Sequence, residues 1–192
     1  MTRNMVRLVS YLALFISVII AIWMRVRLDF NSAYLDESNY LFAGQQLLDG
    51  KDWNIVRYMF SSSLPIYIIG LGNELNGLLG ARFLNTVFGL VSLLFYFDAV
   101  RRLFKNNYKT AFLATLLLAT SASHAFISKF AVYDIICVAF FIMGLWAVII
   151  AEQSQNAKKY AWIIVSSVLF CIAILSKYIA FLMLLPIGLA VL

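Results

Sequence analysis

Charge is scarce in this chain. Only 12% of its 192 residues are Asp, Glu, Lys or Arg, and nine are acidic, whereas soluble domains carry about 25% charged residues. With 64% apolar residues and a mean hydropathy of +0.91, an ordinary soluble domain is excluded. There are two cysteines, Cys137 and Cys171, both inside apolar segments. Neither a disulfide framework nor metal-type cysteine spacing is available. The single histidine, His124, has no second His or Cys at ligand spacing, so a metal site is not expected. The net charge of +6 does not indicate nucleic acid, because the basic residues form no continuous run. They stand between apolar stretches, where they set membrane orientation. No internal repeat or low-complexity segment is present.

What is abundant is apolar length. A spanning helix needs roughly 20 predominantly apolar residues. Such stretches lie at about 8–24, 83–100, 111–127, 131–151, 161–176 and 179–192. The first follows MTRNMVR but exceeds a typical signal-peptide core, and Arg25-Val26-Arg27 stands where a small-residue cleavage site would be. It reads as an uncleaved first helix. Residues 25–82 form a long loop, expected to contain short interfacial helices. The segment LPIYIIGLG, Leu64–Gly72, is too short to span before Asn73 and Glu74 interrupt it. A seventh span there would also move the cluster Arg101, Arg102, Lys105 and Lys109 to the outer side, against the positive-inside bias. With six spans that cluster, Arg3, Arg7, Lys158 and Lys159 are all cytoplasmic. The expected fold is therefore an all-α, polytopic integral membrane protein. The sequence stops at Leu192 inside an apolar run, and a helix ending mid-bilayer leaves carbonyls unsatisfied. The expectation is the N-terminal part of a longer protein.

Ionisable residues at the outer boundary are costly there and tend to be functional. Asp36 and Glu37 stand adjacent in LDESNYLFAGQQLLDG, Leu35–Gly50. Asp134 opens the fourth span, with Lys129 and His124 before it. Lys177 lies in the Ser-Lys-Tyr turn between spans five and six, and Arg82 opens span two. Carboxylates mixed with cations suit sugar transfer from a lipid phosphate. The leaving phosphate needs no proton, so one general base for the acceptor hydroxyl suffices, with cations to hold the phosphate. Asp36 is the expected base, with Glu37 in support. Arg82, Lys129 and Lys177 are the candidate phosphate partners, with Asp134 and Tyr40 beside them. Each residue has a plainer alternative. Asp36 reads equally as the N-cap of a helix through Tyr40, Ala43 and Leu47, stopped by Gly50. Asp134 reads as a cap of span four, Lys129 as a snorkelling side chain and Lys177 as an interfacial anchor. Asp98 is accounted for by pairing with Arg101 and Arg102 on its own helix.

The order of these features resembles the GT-C membrane glycosyltransferases. Within them it resembles the branch of protein O-mannosyltransferases and aminoarabinose lipid A transferases. The resemblance rests on DESNYLFAGQQLLDG, on SLPIY (Ser63–Tyr67), on ARFLNTVFGLVSLLFYFDAVRRLF across span two, on Asp134 and on LSKY (Leu175–Tyr178). Ser63 departs from the family's usual proline pair. The resemblance implies a GT-C-like helix bundle and inverting transfer from a polyprenyl-phosphate-sugar to a protein, lipid or glycan acceptor. It also implies an active site on the outer or lumenal face of a plasma, inner or ER membrane, with the N-terminus cytoplasmic. By the same resemblance Asp36, with Glu37 beside it, matches the catalytic carboxylate. Asp134 matches the acidic residue of the second outer loop, Lys177 the phosphate-holding basic residue, and Arg82 the arginine opening span two. No cofactor or metal is required on this reading, and no nucleic acid partner is expected. Two other classes share the features. A transporter or flippase of lipid-linked sugars would use the cations without a base, and transport without a glycosyl product would decide for it. A non-catalytic membrane scaffold would tolerate alanine at both Asp36 and Lys177.

Overall fold

The computed structural model describes residues 3–51 and 61–184. The second half of the expected sixth span, and Arg57 in the expected outer loop, lie outside the described residues. The described chain is all α-helix: α1 (Arg3–Arg25), α2 (Leu35–Leu48), α3 (Ser63–Leu103), α4 (Tyr108–Thr120), α5 (Ala122–Lys129), α6 (Asp134–Glu152) and α7 (Asn156–Ser176). Among the described residues α3, α6 and α7 are each long and apolar enough to cross a membrane, and α4 with α5 together form a fourth, bent candidate. The apolar part of α1, Tyr11–Arg25, is shorter. Large apolar side chains such as Phe15, Trp23, Leu117 and Ile164 are exposed around the bundle, as lipid contact requires. The protein is an all-α polytopic membrane protein.

Two elements depart from simple spans. The 41 residues of α3 break at Asn76 and Gly77, the latter in the left-handed region at φ 56°. A straight helix would separate residues 72 and 81 by about 13 Å at 1.5 Å per residue. Instead a Cβ placed on Gly72 would lie 2.6 Å from Ala81 Cα. The chain therefore turns back at the break, and α3 is a helical hairpin whose first arm contains the Leu64–Gly72 segment. The expected third span is not continuous either. It bends by 57° between α4 and α5, at a run of small hydroxylated residues, Thr120, Ser121 and Ser123. Thr120 Oγ1 donates back to the Leu116 carbonyl at 2.8 Å, a local competition that bends helices.

Helix α2 is seated on the hairpin. Gly44 and Gly70 meet backbone to backbone, and a Cβ on Gly44 would lie 2.7 Å from Gly70 Cα. Small residues at a membrane-helix contact permit this approach. Around it Ala43, Ile66, Ile69, Ala81, Ala131, Tyr133, Ile135 and Ile136 form one buried cluster. The end of α2 is also encoded. Gly50 takes φ 68°, its N–H bonds the Leu47 carbonyl and Lys51 N–H bonds that of Gln46. That is the Schellman pattern.

The helix ends sort into two sets. At one end lie the C-terminus of α1, the start of the second arm of α3, α5, the start of α6 and Lys177. At the other, Asp98 receives hydrogen bonds from Arg101, Arg102 and Trp146, and Arg102 reaches Gln153. The intrahelical pairing expected for Asp98 is present, with Trp146 as an added partner. Gly70→Leu is expected to lower stability by about 1–3 kcal/mol, the usual cost of overpacking. It would be read as a drop in the thermal unfolding midpoint in detergent, with Leu71→Ala on the exposed side nearly neutral.

Candidate functional site

The residues singled out by sequence divide into a buried clamp and a more open cluster. In the clamp, Arg82 and Glu37 are both fully buried. Arg82 Nε donates to Glu37 Oε1 and Nη2 to Oε2, each at 2.8 Å. The remaining donors go to the Leu28, Asn31 and Ser32 carbonyls and to Asn31 Oδ1. The guanidinium also lies 4.4 Å from the Phe30 ring centroid. Glu37 Oε1 accepts in addition from Ala131 N–H, and Oε2 from Tyr34 N–H. Burial pushes the Glu37 carboxyl up, but Arg82 and the two backbone donors outweigh it and hold it below its ordinary value.

These contacts bear on two expectations. Arg82 was a candidate phosphate partner and Glu37 a partner in catalysis. All guanidinium nitrogens of Arg82 and both carboxylate oxygens of Glu37 are committed inside the protein. Their work is to tie α2 to the hairpin, to the 28–32 segment and to the turn before α6. The plain capping reading of Asp36 is corrected. The N-cap of α2 is Tyr34, and the carboxylate reaching back to its N–H is that of Glu37. Asp36 is exposed one residue earlier, with no hydrogen bond or ion pair among the described residues.

The open cluster joins α2, α6 and the end of α7. The Tyr40 and Tyr133 rings lie 4.8 Å apart between centroids. Lys177 Nζ sits 5.5 Å from the Tyr133 centroid and is ion-paired with Asp134. Burial first, then a hydrogen bond with Tyr133, then the charges of Asp36 and Asp134 raise the Tyr40 pKa well above its ordinary value. Tyr40 is therefore a neutral phenol within electrostatic reach of both carboxylates. Burial depresses Lys177, but Asp134 more than compensates and the ammonium is held above its usual range. Lys129 is not in this cluster. Its ammonium lies 4.7 Å from the Phe30 centroid, on the clamp side.

A second buried polar system was missed at the level of sequence. Arg25 is fully buried. Its guanidinium donates to the Ala21 and Ala119 carbonyls and contacts His124 Nδ1 at 2.9 Å. Since arginine only donates, Nδ1 is the acceptor and Nε2 carries the proton. Nε2 then donates to Ser92 Oγ at 3.0 Å, and that hydroxyl donates to the Gly89 carbonyl. Ala119 lies where α4 stops, so Arg25 satisfies a carbonyl that the bend frees. The signal was a helical stripe on α3: Arg82, Asn85, Thr86, Gly89 and Ser92 share one face. Asn85 Nδ2 donates to the Phe130 and Val132 carbonyls, both at 2.6 Å, and Thr86 Oγ1 to that of Ser128. Only its first step, Arg-x-x-Asn, stood out in the sequence.

A cavity of about 600 Å³ lies between Val26–Asp29 and the hairpin turn, lined by Leu75, Asn76, Leu79, Gly80 and Phe83. It does not open on Asp36 or Lys177. Among the described residues no group of three or more His, Cys, Asp or Glu side chains could hold a metal ion.

An all-helical membrane bundle with carboxylates, a lysine and paired tyrosines gathered at one end defines a membrane-embedded protein with a polar site at the boundary. The profile of the dolichyl-phosphate-mannose-protein mannosyltransferase family matches residues 62–192. The chain belongs to that family, and hence to the membrane glycosyltransferases. Arg82, Lys129, Asp134 and Lys177 fall within the matched residues, whereas Asp36, Glu37 and Tyr40 precede them. Neither a curated protein nor a solved structure matches the chain.

Breaking the clamp by Arg82→Met is expected to cost roughly 3–5 kcal/mol, because it strands a buried carboxylate. The sign of the pH dependence follows from Glu37. Its folded pKa is depressed, so its stabilisation is complete above the unfolded value near about 4.3 and is lost as pH falls through the folded value. Unfolding midpoints measured down to that range should fall with pH in the wild type and fall less in Glu37→Gln.

Proposed function

We propose that the protein is an inverting glycosyltransferase that moves a sugar from a polyprenyl-phosphate donor to a hydroxyl-bearing acceptor. The observation that carries this reading is the division between the two adjacent carboxylates. Glu37 is consumed by the clamp, while Asp36, one turn before Tyr40, stands exposed and without a hydrogen bond or ion pair among the described residues. In the reaction the bond between the anomeric carbon and the phosphate oxygen breaks as the acceptor oxygen attacks from the opposite face. Asp36 takes the acceptor's proton, the role of a positioned general base. The phosphate departs as an anion and needs no acid. Lys177 is the cation for that phosphate, and Tyr40 and Asp134 are placed to hydrogen-bond sugar hydroxyls.

The reaction belongs at the membrane boundary, where the lipid tail stays in the bilayer and the phosphate reaches the headgroup region. We assign the Asp36 end to the outer or lumenal face. Support comes from Arg101, Arg102, Lys105 and Lys109 gathering at the opposite end, as cytoplasmic loops do. Asp36→Asn in the full-length protein should reduce sugar transfer by roughly 10²–10⁴-fold, the range of general-base catalysis. Membrane insertion and the unfolding midpoint should stay unchanged. Transfer at the wild-type rate by a correctly inserted variant would remove Asp36 from the chemistry.

A further inference from the structure

The two ion pairs at this end of the bundle differ in kind. The Glu37–Arg82 pair is fully buried, and backbone groups fill out both partners' hydrogen bonding. The Lys177–Asp134 pair is about one-third exposed on both sides, at 33% and 34%. Among the described residues Lys177 is the hydrogen-bond partner of the Asp134 carboxylate. A pair so exposed is weak and exchangeable. An ammonium is a compact point charge that accepts a carboxylate or a phosphate without a geometric preference, unlike the fork of an arginine. Lys177 does not depend on Asp134 alone for its place. It follows directly on α7, whose C-terminal dipole favours a cation, and lies against the Tyr133 ring.

From this we infer that Asp134 is a resident stand-in for the donor phosphate: it occupies Lys177 in the empty protein and is displaced when the phosphate binds. The inference rests on the reading of Lys177 as the phosphate-holding residue. It adds a consequence for Asp134. Once displaced, its carboxylate is freed beside Tyr40 and Tyr133, where a sugar ring would present hydroxyls. The Lys177 ammonium is thereby kept compensated in the empty protein at the membrane boundary. Other anionic headgroups must also displace Asp134 before they can occupy it.

The test is a binding titration of the full-length protein in detergent micelles with a polyprenyl monophosphate, beside phosphatidylglycerol as the bulk-lipid phosphate. Asp134→Asn should bind the polyprenyl monophosphate about two- to fivefold more tightly, the range that losing an exposed competing ion pair supplies. Asp134→Ser should do the same and guards against a defect peculiar to the amide. Lys177→Met should bind at least as many-fold more weakly. If Lys177→Met weakens binding but both Asp134 variants leave it unchanged or weaker, the stand-in role is wrong and the glycosyltransferase reading survives. Unchanged binding in Lys177→Met overturns both. Phosphatidylglycerol should tighten by the same factor from a weaker starting affinity, and wild-type protein that binds it as tightly as the polyprenyl monophosphate would assign the position to bulk lipid and overturn the donor inference.

Discussion

The buried pair between Glu37 and Arg82 is the contact on which the arrangement of this end of the molecule depends. A carboxylate and a guanidinium removed from water are tolerable only when their hydrogen bonding is satisfied, and here it is satisfied by what must be held. Glu37 takes the Ala131 N–H from the turn before α6 and the Tyr34 N–H at the start of α2. Arg82 takes carbonyls from the 28–32 segment. One pair thus fixes three pieces of chain that have no helix of their own to satisfy them. Asp36, adjacent to Glu37 on α2, inherits its position from this anchor.

The same logic continues along α3. Backbone that is not helical can lie at membrane depth only if protein groups meet its hydrogen-bonding needs. The bend after α4 and the turn from Phe130 to Val132 are such places. Asn85 and Thr86 supply donors to the turn, while Arg25 supplies them to the carbonyl left at the bend. His124 links the two systems through Ser92. The bundle is therefore ordered by a polar stripe in an otherwise apolar helix. The exposed apolar surfaces of α1, α4 and α7 carry little of this information.

Much of the fold was legible because apolar length and scarce charge leave few alternatives. The all-helical membrane class, the stop at Gly50 and the pairing of Asp98 follow from local chemistry, whereas the helix runs through Asn73 and Glu74, the expected interruption, and breaks at Asn76 and Gly77. The bend at Ser121 was not legible, since Thr and Ser occur in straight spans as well, and only the Arg25 contact makes a break affordable. The site was legible as a set of residues but not as a division of labour. Asp36 and Glu37 differ by one position, and nothing local says which carboxylate faces inward. That depends on Arg82, 45 residues away in sequence. Arg25 looked like a charge that merely closes the first span, because its partners on α4 and α5 are nearly a hundred residues distant.

On the function proposed, a buried clamp holds Asp36, unpaired among the described residues, ready for proton abstraction while Lys177 binds the donor independently. Glu37→Gln, assayed at a temperature where it remains folded, separates these roles through donor affinity and single-turnover transfer rate measured on the same preparation. The account predicts a reduced transfer rate with unchanged donor affinity. A folded Glu37→Gln protein that transfers sugar at the wild-type rate would contradict it.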